Sequence, residues 1–181
     1  MKTLAVVLAI LAAGCGASRS SRRLKPEIEA PPEAWQGVHR IAVLPPDNWT
    51  TTVGAEYVAW HRAVIAELLR ERGYEVVPLV EVNRFMLRNR FTLAGEVRLY
   101  SMEELARELR ADAVFFWDIT GGAGNLNIDL VKGDGARLWG TGEVHLDLKY
   151  NSVSAERVGS SDREWALMFG EVLRKLPGRS P

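Results

Sequence analysis

The stretch from Arg40 to Pro46 constrains the fold most, because a short apolar run ends there at two consecutive prolines. Proline lacks the backbone N–H that a strand needs for its hydrogen-bond ladder, so Pro45 and Pro46 forbid continuation of a strand. A polar connection and a long helical pattern follow. This order predicts the first strand of an α/β domain, over residues 39–44, with its carboxyl end at an edge of the sheet.

The pattern after the prolines predicts a β-α-β unit. Residues 53–72 carry apolar side chains at the three- and four-residue spacing of an amphipathic helix, and Gly73 stands where a C′ glycine ends a helix. The predicted buried stripe comprises Tyr57, Val58, His61, Val64, Ile65, Leu68 and Leu69. A short strand over residues 75–78 comes next. Such crossovers are right-handed, so we expect the two strands to be parallel.

Two more helices and a central strand extend this unit. A helix is predicted over residues 80–89, with Val82, Phe85 and Met86 buried. Ser101 and Glu104 form a capping box, which predicts another helix that ends near residue 110. The run 113–119 is almost continuously apolar, so we expect a central strand that is covered on both faces and parallel to the first.

The last third of the chain changes to alternating apolar and polar residues. It predicts a strand around residues 126–130, a turn at 132–135 and a long strand over 136–150, in which Gly140 and Gly142 indicate a bend or a close backbone approach. A second capping box at Ser161 opens a final amphipathic helix that ends at Leu176. The predicted fold class is therefore α/β (α+β), with a mixed sheet of about five strands, a parallel part, an antiparallel meander and packed helices.

The N-terminus predicts a lipoprotein signal peptide over residues 1–14. Lys2 supplies positive charge, and Leu4 to Ala13 form an apolar segment too short to span a bilayer as a helix. Small residues then lead into Cys15, the only cysteine of the chain, which is placed for acylation as in a bacterial lipobox. The alternative is ordinary secretory cleavage that leaves a free thiol, although an unpaired cysteine is unusual in a secreted protein.

Residues 15–37 are predicted to form a lipidated flexible tether ahead of a single α/β domain over 38–177. Their Ser, Arg, Pro, Glu and Ala residues cannot bury enough apolar surface to offset the entropy of ordering. Lipoproteins generally carry more than one acyl chain, palmitate among them, and two chains hold a protein on a membrane essentially permanently. Gly16 is not an aspartate, which by resemblance to lipoprotein sorting rules favours the outer membrane, with the domain facing the periplasm.

Few residues of the sequence suggest a catalytic or metal-binding site. The formal net charge is zero, so the composition gives no reason to expect a nucleic-acid partner. The three histidines lie on separate predicted elements without metal-ligand spacing, and no nucleophile motif is present, so we expect neither a metal, nor a cofactor, nor catalytic residues. Carboxylates could pair if two met across the sheet, and the candidates are Asp118, Asp129, Glu143 and Asp147. The polar face of a half-solvated sheet explains them equally well.

Four arginines suggest a basic patch that binds a partner: Arg84, Arg88, Arg90 and Arg98. An anionic glycan, a lipid headgroup or an acidic protein are the partners that such a patch fits. A solvated helix face is the alternative, because charged residues are common on surface helices.

Several segments resemble a family of bacterial surface lipoproteins of unknown function. They are the strand and proline pair at 41–46, the helix end and following strand at 68–78, the helix and strand entry at 105–114, and the glycine turn at 133–139. The resemblance covers about residues 38–148. More remotely, the chain is similar to the curli secretion lipoprotein, the penicillin-binding-protein activator lipoproteins and the amino-terminal domain of the Tol translocation protein. The resemblance implies a fold and a location, and no catalytic residues.

These observations predict a non-catalytic outer-membrane lipoprotein that acts as a binding or assembly accessory in envelope biogenesis or secretion. The expected partners are the membrane, through Cys15, and an envelope protein, and self-association into an oligomer is left open. Two alternatives remain: an auxiliary lipoprotein of an ABC-type lipid or solvent exporter, and a cell-wall enzyme.

Overall fold

The computed structural model describes residues 26–47, 55–91, 93–120, 125–141, 144–145, 166 and 169–178. Within them the chain forms strands β1 (Ile28–Glu29), β2 (Arg40–Val43), β3 (Glu75–Val76), β4 (Ala113–Thr120), β5 (Asn125–Lys132), β6 (Arg137–Gly140) and β7 (Val144–His145). The helices are α1 (Ala55–Glu71), α2 (Leu79–Arg88) and α3 (Met102–Leu109), and 3₁₀ turns cover Pro32–Trp35 and Ala94–Leu99.

The strands form one mixed sheet in the order β1-β6-β5-β4-β2-β3, with β7 pairing with β5. β2 is parallel to both β3 and β4, whereas β4, β5 and β6 form an antiparallel meander. The predicted parallel unit and meander are thus confirmed, as is the fold class. The sheet exceeds the predicted five strands because the short strand β1 joins its edge and because the last predicted strand is divided into β6 and β7.

The two faces of the sheet support two hydrophobic layers. Phe115 and Trp117 of β4 pack with α1 and with the C-terminal segment, whereas Val114 and Phe116 pack with α2 and α3. The stripe predicted for α1 is buried from Val58 to Leu69, apart from Tyr57, whose side chain lies outside the described residues. Four residues predicted for the final helix are also buried: Phe169, Val172, Leu173 and Leu176.

Two local predictions about helix ends hold. Ser101 and Glu104 form the reciprocal capping box at the start of α3, with Ser101 Oγ accepting from the Glu104 N–H at 3.2 Å. Gly73 has φ +89°, a backbone conformation that is unfavourable for residues with a Cβ atom. The Tyr74 N–H donates to the Leu69 carbonyl and so closes the end of the helix.

The N-terminal part of the domain differs from prediction, because β1 lies inside the segment 15–37 that was assigned to the tether. β1 pairs antiparallel with β6, and the N–H groups of Glu27 and Ala30 donate to the carbonyls of Gly140 and Leu138. Trp35 packs against Tyr74, with ring centroids 6.4 Å apart. The predicted end of the tether at residue 37 is therefore wrong, and the strand over 39–44, predicted as the first, is β2.

The long strand predicted over 136–150 is interrupted. β6 ends at Gly140, β7 follows over two residues, and positions 146–150 lie outside the described residues. The predicted close approach at Gly140 is confirmed, since a Cβ there would stand 2.9 Å from Asp129 Oδ1 and 3.3 Å from the Ile128 carbonyl oxygen. Gly142 lies outside the described residues.

Arg62 of α1 is almost completely buried, at 3% exposure. Its Nε and Nη2 donate to the Val43 carbonyl at 3.2 and 2.9 Å, and its Nη1 donates to Asn83 Oδ1 at 2.6 Å. Burial lowers the pKa of Arg62 to about 10, because the charged form loses its hydration. Arg62 therefore ties α1 to the end of β2 and to α2.

The new domain boundary predicts the effect of two truncations. A chain that starts at Val38, where the predicted domain began, loses β1 and Trp35, and we expect its free energy of unfolding to fall by roughly 2–3 kcal/mol. A chain that starts at Pro26 keeps these contacts and serves as the control. Urea unfolding followed by circular dichroism measures both, and equal stabilities would show that β1 contributes nothing.

Candidate functional site

A small cleft lies at the edge of the sheet where β2 and β4 end. It is lined by Asp47 and Arg98, by Phe116 and Asp118 of β4, and by Asn127 and Asp129 of β5. Its empty space, which includes the open mouth, is about 150 Å³. Sites for small molecules usually enclose roughly 300–1,000 Å³, so the cleft formed by these described residues is smaller than an ordinary small-molecule site.

The alternation of β4 and β5 brings the polar side chains together. Asp118 lies opposite Asn127, and Phe116 lies opposite Asp129. These side chains lie on the face of the sheet that α2 and α3 cover nearer the start of β4. Asp118 and Asp129 are therefore diagonal neighbours, separated by about 7–8 Å between their Cα atoms by strand geometry.

Asp47 is held over this face by the backbone. After the proline pair, the Asp47 N–H donates to the Trp117 carbonyl at 3.1 Å, and the Asp47 carbonyl accepts from the Gly95 N–H at 3.0 Å. A Cβ at residue 95 would stand 3.0 Å from that carbonyl oxygen, so the 3₁₀ turn can approach because it carries a glycine there. Asp47 thus joins the end of β2, β4 and the 3₁₀ turn.

Two arginines neutralise two of the carboxylates in the cleft. Arg98 Nε donates to Asp47 Oδ2 at 2.6 Å, and its guanidinium carbon lies 4.2 Å from the centroid of the Phe116 ring, within cation–π range. Arg137 of β6 donates through Nε to Asp129 Oδ1 at 2.8 Å. These two ion pairs occupy part of the cleft, while Asp47 Oδ1 and Asn127 Oδ1 are buried there without a hydrogen-bond partner among the described residues.

Burial raises the pKa of the Asp47 carboxyl above its ordinary value, because the charged form is desolvated. The charge of Arg98 and its hydrogen bond lower that pKa, and the nearby charge of Asp129 raises it. Desolvation outweighs the ion pair, so the net shift is upward.

The four arginines of the predicted basic patch have different environments. Arg98 belongs to the cleft. Arg84 and Arg88 are exposed on α2, where Arg88 Nη2 donates to Glu108 Oε2 at 2.7 Å, and Arg90 is exposed just beyond α2 with φ +57°. The patch is thus divided between two sites, and its role in partner binding stays a prediction.

The other sequence candidates are placed as follows. Of the predicted carboxylates, Asp118 and Asp129 meet in the cleft, while Glu143, Asp147 and the lipidation site Cys15 lie outside the described residues. His61 is buried between aromatic rings, with ring centroids 4.9 Å from Trp60 and 6.0 Å from Phe169.

In the described part of the chain, no group of three or more metal-ligating side chains is assembled. No helix within that part is both long and apolar enough to cross a bilayer.

Sequence reasoning missed Arg62 and the two ion pairs of the cleft. Arg98 and Asp47 are 51 residues apart in the chain, and no local pattern connects them. The proline pair indicated that Asp47 follows the end of a strand, which is the only available signal.

The family model described as "Putative lipoprotein GNA1162-like" matches residues 37–128, about half of the chain. The chain belongs to this family. The match runs from just before β2 into β5, so it covers the parallel part of the sheet and most of the cleft. It confirms the lipoprotein resemblance inferred from the sequence.

Two solved structures are similar to this chain. The lipoprotein GNA1162 from Neisseria meningitidis is 24% identical, with a TM-score of 0.52 over 76% of this chain and 98% of that one. The PelC dodecamer from Paraburkholderia phytofirmans is 19% identical, with a TM-score of 0.43 over 79% of this chain and 90% of that one. No curated protein matches significantly. At this identity, the likeness to GNA1162 shows a shared fold.

Membership in the GNA1162-like family supports the lipoprotein character that Cys15 predicts, and with it an association with a membrane of the cell envelope. The family is named for neither a reaction nor a ligand.

In this GNA1162-like domain Arg98 lowers the pKa of Asp47 and Asp129 raises it, so substitutions of these two residues should shift that pKa in opposite directions. Arg98→Met should raise the pKa further, because the opposing charge and hydrogen bond are lost, whereas Asp129→Asn should lower it. Carbon-detected NMR titration of the aspartate carboxyls measures both shifts.

Arg88→Met is the matched control, because Arg88 pairs with Glu108 and not with Asp47. It should leave the titration of Asp47 unchanged. An Asp47 pKa at or below the ordinary value, or one that does not respond to Arg98→Met, would contradict this account of the cleft.

Proposed function

We propose that this GNA1162-like protein is an outer-membrane lipoprotein whose periplasmic domain acts as a non-catalytic binding or assembly accessory in envelope biogenesis or secretion. Signal-peptide cleavage leaves Cys15 as the acylated first residue of the mature chain. The domain then binds an envelope protein and holds it at the membrane.

One observation carries this proposal: the only cysteine, at a lipobox-like position, is separated by twelve residues from an edge strand of a folded domain. Residues 16–27 span at most about 40 Å when fully extended. This length keeps the domain beside the bilayer while allowing it to reach a neighbouring protein. A protein built in this way localises what it binds.

The geometry of the cleft gives little support to a catalytic role, so a binding role would use another surface of the domain. A catalytic carboxylate needs space for a substrate within hydrogen-bond reach. Here Asp47 and Asp129 are each engaged by an arginine, and the space between them is small. These contacts serve to fix the end of the sheet and the 3₁₀ turn.

Acylation of Cys15 gives the direct test. In the native host, we expect intact-mass analysis of membrane fractions to show a mature chain that begins at Cys15 and carries acyl chains, and a density gradient to place it with outer-membrane markers. Cys15→Ser removes the acylated sulfur, so this variant should lose the acyl mass and the membrane association. An unmodified Cys15 in the wild-type chain would refute the anchor.

Chemical cross-linking of the acylated protein in intact cells, followed by mass spectrometry, tests the accessory role. We expect one envelope protein to be recovered with the wild-type chain and lost with Cys15→Ser, because the unanchored domain no longer remains beside it. Hydrolysis of peptidoglycan fragments by the pure protein would instead favour an enzyme.

A further inference from the structure

The large apolar side chains that are exposed in the described part of the chain fall within one short segment. Leu87 and Leu99 are 71% and 85% exposed, and Val80 and Leu93 are 54% and 46% exposed. All four lie on α2 or beside the 3₁₀ turn 94–99. Isolated exposed leucines are ordinary, but concentration in one segment indicates a contact surface.

The chain brings α2 and this turn together. The Tyr100 hydroxyl donates to Asn89 Oδ1 at 2.9 Å, and the Tyr100 ring packs 5.8 Å from both Phe85 and Phe91. Leu99, next to Tyr100, therefore lies near the C-terminal end of α2. On α2 itself, Val80, Arg84 and Leu87 stand at i, i+4 and i+7 and share one face.

The same segment carries positive charge that the described part of the domain does not neutralise. Among the described residues, neither Arg84 nor Arg90 has a carboxylate partner. The acidic side chains of this segment are engaged internally: Glu81 lies 3.8 Å from Arg40 as an ion pair, and Glu96 Oε2 accepts from the Leu93 N–H. We define the apolar–basic surface as Val80, Arg84, Leu87, Arg90, Leu93 and Leu99.

We propose that the apolar–basic surface docks onto the anionic lipid headgroups of the bilayer that holds the acylated Cys15. Leucines that protrude beside arginines on a helix surface match the boundary between headgroups and acyl chains. The arginine stems can lie along the apolar layer while their guanidinium groups reach phosphate. A peptide partner would require a groove to receive its side chains, whereas this surface is the outside of a helix and a turn.

The tether is long enough for this contact, and here the inference rests on the anchor proposed above. β1 and β2 lie at positions one and five of the sheet order, which places them about 20 Å apart at roughly 4.8 Å per strand. α2 packs against β2 about 10 Å below the sheet. The twelve residues before β1 span up to about 40 Å, so the acylated end can reach the plane of the apolar–basic surface.

Docking would give the tethered domain one orientation. The surface lies on the α2 and α3 face, so the opposite face, with α1 and the C-terminal segment, would point away from the membrane. That face would be the one presented to an envelope protein.

A spin label at position 99 tests the docking in the full-length acylated protein, where Cys15 is blocked and Leu99→Cys supplies the only free thiol. The protein is reconstituted in vesicles of phosphatidylcholine with or without about 30 mol % phosphatidylglycerol. We expect collision of the label with a water-soluble nickel complex to fall at least about threefold on the anionic vesicles. A label at Glu71→Cys, an exposed position at the end of α1 on the other face, should not respond.

Charge reversal provides the second arm. Arg84→Glu with Arg90→Glu should restore access of the nickel complex to the label at position 99, since each basic residue near an anionic surface is worth about fivefold in the binding equilibrium. Arg174→Glu, an exposed reversal in the C-terminal segment, is the matched control and should leave the protection intact. Near-ultraviolet circular dichroism confirms that each variant is folded.

Three results would overturn the inference. One is equal exposure of the label at position 99 on both kinds of vesicle. Another is protection that persists in detergent micelles and grows with protein concentration, which would assign the surface to a second copy of the chain. The third is protection that the double reversal does not change. In each case, vesicle binding through the acylated Cys15 would be retained, so the proposed anchor is judged separately.

Discussion

The end of β2 is the constraint on which the rest of the structure depends. The proline pair stops the strand, and β3 stops earlier still, so the Val43 carbonyl at the end of β2 has no strand beside it on the β3 side. The Ile41 carbonyl accepts from Val77 on the β3 side, and by strand alternation the Val43 carbonyl faces that same side. Arg62 takes the place of the missing strand there, and Trp117 Nε1 donates to the Leu44 carbonyl at 2.7 Å. An unpaired buried carbonyl would cost roughly 1–3 kcal/mol, so these side chains are required.

The same arrangement explains the cleft. The proline pair directs the chain across β4, which places Asp47 near Asp129 and gives Arg98 a partly buried partner. Ligands of α/β domains usually bind at this edge of the sheet. In this GNA1162-like protein arginines pair with two of the carboxylates there, Asp47 and Asp129, and these ion pairs help to hold the edge of the fold together. The exposed leucines are on the α2 and α3 face, where α2 and the following turn combine them with Arg84 and Arg90, which have no carboxylate partner among the described residues.

The sequence predicted the strongly periodic elements well, because α1, α2, α3, β4 and β5 each carry a local signal such as an apolar stripe, a capping box or an alternation. It failed where structure depends on distant partners. Ile28 and Glu29 lie in a polar segment and become a strand only because β6, more than 100 residues later, offers its edge. Arg62 stands beside the apolar stripe of α1 and looks like an exposed helix residue, since nothing local shows that Val43 needs a donor. The cleft depends on the pairing of β4 with β5, which fixes Asp118 and Asp129 as diagonal neighbours.

We expect Arg62 to stabilise the domain, because it completes the hydrogen bonding at the end of β2. Burial of the Arg62 charge costs free energy and so offsets part of this stabilisation, and the lowered pKa of Arg62 reflects that cost. The most direct measurement is the free energy of unfolding of Arg62→Met, which keeps most of the side-chain volume and removes the donors. The exposed helix residue Arg70→Met serves as the control. We predict a loss of roughly 1–3 kcal/mol for Arg62→Met and less than about 0.5 kcal/mol for Arg70→Met. An Arg62→Met variant as stable as the wild type, or more stable, would contradict the claim.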